Sequence, residues 1–197
     1  CEIPAGPKAH RRLIPTINPP SIAELRAQDD RVTQMLRLRT LRVRDSRPDK
    51  LVPGHRIERA DQYHRGVRVF GADIARQMSR GQVVSILGTI YDDIATSPDP
   101  GLREVEARRI VERRTGVPLG DASAGELVVL PRSAGDYVLA WRIRASSGSD
   151  LREYFVDARS GTIVFDYSDL QTQSVVGRAT GVLGGLEKIS VTRFGGG

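Results

Sequence analysis

Two tripeptides constrain this chain more than any other feature. His64-Arg65-Gly66 and Ser79-Arg80-Gly81 each interrupt a run of β-branched, apolar and polar residues in rough alternation. A connection that short leaves no room for a crossover helix, so the runs on either side must be antiparallel neighbours. Each glycine stands where a tight hairpin turn asks for a positive φ. The flanking runs predict strands at 55–63, 67–78 and 82–92, an antiparallel meander. Gly71 falls inside the middle strand, where glycine marks a bulge or a close backbone approach.

Upstream, Ser21-Ile22-Ala23-Glu24 has the form of a capping box. Ile22, Leu25, Val32, Met35 and Leu36 follow near helical spacing, which predicts a helix over 21–35. From Leu36 to Asp45 apolar residues alternate with arginine, the pattern of a half-buried strand with a charged outer face. Its phase flips at Thr40-Leu41, which predicts a bulge there. Residues 1–20 are rich in proline and lack periodicity, so they read as an extended or disordered leader.

Thr96-Ser97-Pro98-Asp99-Pro100-Gly101 is the strongest break in the chain. Beyond it, Ala107, Ile110 and Val111 form the stripe of a helix over 102–115, stopped by Gly116 and Pro118. Strands follow at 125–131 and 136–145. The second puts Leu139, Trp141, Ile143 and Ala145 on one face and Arg142 and Arg144 on the other, so Trp141 reads as a core residue. A hairpin over 152–167 turns where Asp157 can cap through its carboxylate and Gly161 can supply the left-handed position. A helix followed by an antiparallel sheet therefore occurs twice in succession, and the fold class is α+β.

Only 5% of the 197 residues are aromatic, so the core must be built mainly from Val, Ile, Leu and Ala. No apolar run approaches the roughly eighteen residues of a membrane-spanning helix. The formal net charge is +6, and nearly all the cations are arginine. The excess lies in residues 1–96, while 97–171 are slightly acidic. Acidic residues are interspersed throughout, so solvated basic faces fit better than a nucleic-acid surface. The arginines of 36–45 are read the same way.

Reactive chemistry finds little support. The histidines are His10, His55 and His64. None is followed by Glu and no two are four residues apart, so the His-Glu-x-x-His pattern that sets two zinc ligands on one helix face does not occur. There is no Gly-x-Ser-x-Gly nucleophile elbow. The glycine-rich run at 181–185 lacks the Gly-Lys-Ser/Thr of a phosphate loop. No catalytic, metal-binding or cofactor-binding residue is nominated. The single cysteine, Cys1, excludes an internal disulfide. It reads either as a lipid-modified N-terminus of an exported protein or as an arbitrary start.

Residues 61–74, followed by Gly81–Gly88, resemble the fungalysin/thermolysin propeptide module. Gln62, Gly66, Val69, Phe70 and Gly71 match its Gln-x-x-x-Gly-x-x-Val-aromatic-Gly pattern. The helix 104–116, the strand around Trp141 and the hairpin through Val156, Asp157 and Gly161 resemble a PepSY domain, which has a cystatin-like fold. Residues 177–192 look like the opening strand of a thermolysin-like catalytic domain. The resemblance does not extend to the flexible leader (1–20); after it, it implies a propeptide-like domain (21–96), a PepSY domain (97–167), and a linker leading into an absent catalytic domain (168–197). It implies the pro-region of a secreted or envelope-exported zinc metalloendopeptidase, serving as intramolecular chaperone and temporary inhibitor. Zinc and calcium would belong to the catalytic domain, which would be the partner. Maturation would cut near Thr172, Gln173, Ser174, Val175 and Val176, with Val175 or Val176 after the scissile bond. Two other readings stand: a free-standing inhibitory or binding module anchored to the envelope through Cys1, and a basic nucleic-acid binder, disfavoured by the lack of aromatic platforms.

Overall fold

The computed structural model describes residues 11–14, 21–120, 124–132, 136–147, 150–168, 174–180 and 186–192. In chain order the elements are β1 (Arg11–Ile14), α1 (Ile22–Arg37), β2 (Leu41–Pro48), β3 (His55–His64), β4 (Val67–Ser79), β5 (Gln82–Tyr91), α2 (Glu104–Thr115), β6 (Glu126–Pro131), β7 (Tyr137–Ser147), β8 (Asp150–Asp157), β9 (Ile163–Ser168), β10 (Ser174–Thr180) and β11 (Leu186–Thr192). The architecture is α+β, with two successive units of one helix on antiparallel strands.

The two hairpins form on Arg65-Gly66 and Arg80-Gly81. All four residues have positive φ, the backbone of a type I′ turn whose twist matches its strands. In the first unit, α1 starts at Ser21, whose hydroxyl accepts from the Glu24 amide at 3.1 Å. Leu25 and Val32 bury against Leu41, Ala60, Ile74, Ile86 and Ile90. In the second unit, Ala107 and Val111 of α2 pack on Ile143, Ala145, Tyr154 and Val156. Gly116 closes α2 in the left-handed conformation.

Several boundaries differ from the sequence expectation. The helix runs to Arg37 and β2 starts only at Leu41, so Leu36 and Arg37 are helical. A short run of alternating Leu and Arg satisfies a helix end as well as a strand, and the turn at 38–40, with Arg39 at φ 59°, separates the two. The bulge lies between Val43 and Asp45 rather than at Thr40-Leu41. Within the leader, β1 pairs with β5, from Arg11 opposite Tyr91 to Ile14 opposite Gly88. Within the segment read as a flexible linker, β10 begins at Ser174 and pairs with β11 along its length.

The two units share one nine-stranded sheet. Among the described residues its single parallel contact joins β4 to β6, with Arg68 opposite Val128 and Val69 opposite Val129. β4 therefore serves both units: Ile74–Ser79 lie between β3 and β5, and Arg68–Val69 lie beside β6.

Candidate functional site

The motif residues gather where β4 passes from one unit to the other. Gln62 lies at an irregularity in β3, where pairing with β4 jumps from Asp61–Asp73 to Tyr63–Arg68. One residue of β3 faces four of β4, so β4 bends away, and Gly71 within that stretch has φ 69°. Gln62 fills the gap this leaves. Its side-chain Nε2 donates to the Tyr91 carbonyl at 2.6 Å, and its Oε1 accepts from the Tyr91 amide at 2.8 Å. A buried amide side chain thus satisfies both backbone groups of Tyr91, as a neighbouring strand would.

The residues before the bend face opposite sides of the sheet. Val69 is fully buried with Val129, Leu139 and Ala158. Phe70 points the other way and meets Phe155 edge-on, with ring centroids 4.7 Å apart. Trp141 is half-buried between the two clusters on the α2 side, and its Nε1 donates to the Leu102 carbonyl at 2.7 Å. In the β8–β9 turn, the Asp157 carboxylate accepts from the Arg159 and Ser160 amides at 2.8 and 2.9 Å. Gly161 follows at φ 73°.

Beside Phe70 runs a charged chain that spans four strands. Arg68 on β4 donates twice to Glu126 on β6, at 2.7 and 2.8 Å. Arg142 on β7 donates to Glu126 at 3.1 Å and makes a double contact with Glu153 on β8. Arg144 adds a bond to Glu153 at 2.8 Å, and the Arg142 guanidinium stands 5.4 Å from the Phe70 ring centre. Glu153 is only 1% exposed. Burial by itself would raise its pKa, but the hydrogen bonds from Arg142 and Arg144 outweigh it and hold the carboxyl below the usual range. Arg68 does the same for Glu126. Both carboxyls are therefore ionised at neutral pH. A small pocket of about 190 Å³ opens here, lined by Ala124, Glu126, Arg142, Arg144 and Glu153.

Sequence reasoning did not single out this chain, because each charge alone reads as a solvated strand face. It also missed Gly88, the residue opposite both Ile74 and Ile14. A Cβ there would stand 2.1 Å from the Asp73 carbonyl oxygen and 2.7 Å from the Ile74 Cα. Cys1, Thr172 and Gln173 lie outside the described residues, while Ser174, Val175 and Val176 open β10. Among the described residues no group of three His, Cys, Asp or Glu side chains is placed to hold a metal ion, and no helix is long and apolar enough to cross a membrane.

Comparison with known proteins adds one functional match. No curated protein matches the chain. The solved structure of the Bacillus megaterium YpeB C-terminal domain is similar at 14% identity and a TM-score of 0.41, over 75% of this chain and 65% of that one. Residues 39–90 match the Fungalysin/Thermolysin Propeptide Motif, which runs here from the turn after α1 through β2, β3 and β4 to the penultimate residue of β5 and supports reading this segment as part of a protease propeptide.

Proposed function

We propose that this chain is the pro-region of a thermolysin-like zinc metalloendopeptidase, assisting the folding of the protease domain and inhibiting it until the connection is cut. The observation that carries this reading is the propeptide-motif match over 39–90. Its residues serve packing: Gln62 replaces strand pairing, Gly66 turns a hairpin, and Val69, Phe70 and Gly71 join two units. A rigid surface of this kind suits a template on which another domain is held. Covalent tethering supplies an effective concentration of roughly millimolar, so a modest interface suffices before cleavage and fails after it.

In this reading the second unit is a PepSY domain and the cut falls within Thr172–Val176. That segment follows the last strand of the large sheet and enters β10, so a cut there would detach the β10–β11 hairpin from the template. In this reading the protein is exported. N-terminal sequencing of the matured protease checks the cleavage assignment. A new N-terminus between 173 and 177 is expected, and one upstream of Ser160 overturns it.

A further inference from the structure

The segment 37–52 combines two features, basic charge and exposed apolar side chains. It carries six basic residues (Arg37, Arg39, Arg42, Arg44, Arg47 and Lys50) against two acidic ones, Asp45 and Asp49. All six basic residues are exposed. Interleaved with them are four of the protein's exposed large apolar side chains: Leu38 at 66%, Val43 at 47%, Leu51 at 90% and Val52 at 39%. Among the described residues β2 pairs only with β3, a free sheet edge about 26 Å long that carries Arg42, Val43, Arg44 and Arg47, with Arg37, Leu38 and Arg39 just before it and Lys50, Leu51 and Val52 in the turn after it.

The edge is ordered. Arg42 stacks over the Tyr63 ring at 4.0 Å, and Arg44 pairs with Asp61 at 2.9 Å. Leu51 sits on a braced turn, where the Asp49 carboxylate accepts from the Leu51 amide at 2.8 Å and from Gln77 at 2.7 Å. The Asp49 amide in turn donates to the His55 carbonyl. Asp49 is thus engaged in its own turn and Asp45 pairs with Arg47, which leaves the edge with a cationic surplus. The bulge at Val43–Asp45 and Pro48 bar the addition of a continuous strand, so recognition here must run through side chains. An exposed leucine on a braced turn, at the end of an arginine-bearing edge, has the character of an anchor for a protein surface. Nucleic acid would supply the anionic charge but no pocket for Leu51.

We propose that the β2 edge and the 49–54 turn form the surface on which this chain docks an acidic protein partner, with Leu51 seated in an apolar pocket of that partner. Naming the partner as the metallopeptidase domain rests on the propeptide reading; the surface does not. The test measures binding of the full chain to a matured thermolysin-like protease and to a labelled twelve-residue peptide of alternating Glu and Leu. The variants are Leu51→Ser and Arg42→Glu/Arg47→Glu, with Arg109→Glu/Arg113→Glu on α2 as a charge control and thermal melts to confirm folding. A loss of tenfold or more for both edge variants, with the control unchanged, is expected on the protease. Unchanged protease binding by the edge variants overturns the surface while leaving the propeptide reading intact. If the wild-type chain ignores the protease, that reading fails and the peptide decides. Preference for the Glu-Leu peptide over a Glu-Ser peptide, lost in Leu51→Ser, upholds the surface. Equal binding of the two peptides, or tighter binding of a dT12 oligonucleotide, overturns it.

Discussion

Among single residues, Gln62 and Gly88 carry the clearest consequences. Gln62→Leu keeps the volume but leaves the Tyr91 amide and carbonyl without the partners they have now. About 2 kcal/mol of stability should be lost, read by urea denaturation. The two inner glycines should behave differently. At Gly88 an added methyl group collides with the backbone of β4 itself, which cannot swing aside. At Gly71 the space is open and only the left-handed backbone resists. Gly88→Ala should therefore cost about 3 kcal/mol or more and Gly71→Ala about 1 kcal/mol. Equal losses at the two positions would contradict this account. The sequence marked Gly71 because the glycine interrupts a strand pattern. Gly88 stayed hidden because the backbone it approaches is fourteen or more residues away.

At the level of elements, β4 is the shared member, and the Arg68–Glu126–Arg142–Glu153–Arg144 chain is its polar clasp. Both carboxyls have folded-state pKa values below their unfolded ones. Their contribution is fully present above the unfolded carboxyl pKa, and it is lost as pH falls through the lower folded values. Stability should be flat near neutrality and decline from about pH 5 downward. Glu153→Gln should flatten that decline and cost about 3 kcal/mol at pH 7, because it removes the charge of the buried carboxylate that Arg142 and Arg144 share. A pH profile identical to wild type would refute the clasp. On the apolar side, Phe70→Ala should cost about 3 kcal/mol through lost contact with Phe155. Local features were legible in sequence: hairpin turns from Arg-Gly pairs, the buried stripe of α2, and the Asp157 turn. The joining of the units was not. A two-residue parallel contact between Val69 and Val129 leaves no periodic trace, and charges that bond across four strands look the same in sequence as charges in water.

For the whole molecule, two helix-on-sheet units are fused through one strand into a single platform, and residues 39–90 match a protease propeptide motif. A fused platform should unfold as one body. Urea transitions followed by Trp141 fluorescence, which reports the second unit, and by far-ultraviolet dichroism should therefore coincide. The central claim is that this platform restrains a metallopeptidase. It is tested most directly by adding the purified chain to a matured thermolysin-like protease from the same source and following residual peptidase activity. The account predicts dose-dependent inhibition that fades as the chain is degraded. Undiminished activity at a large molar excess of intact, folded chain would contradict it.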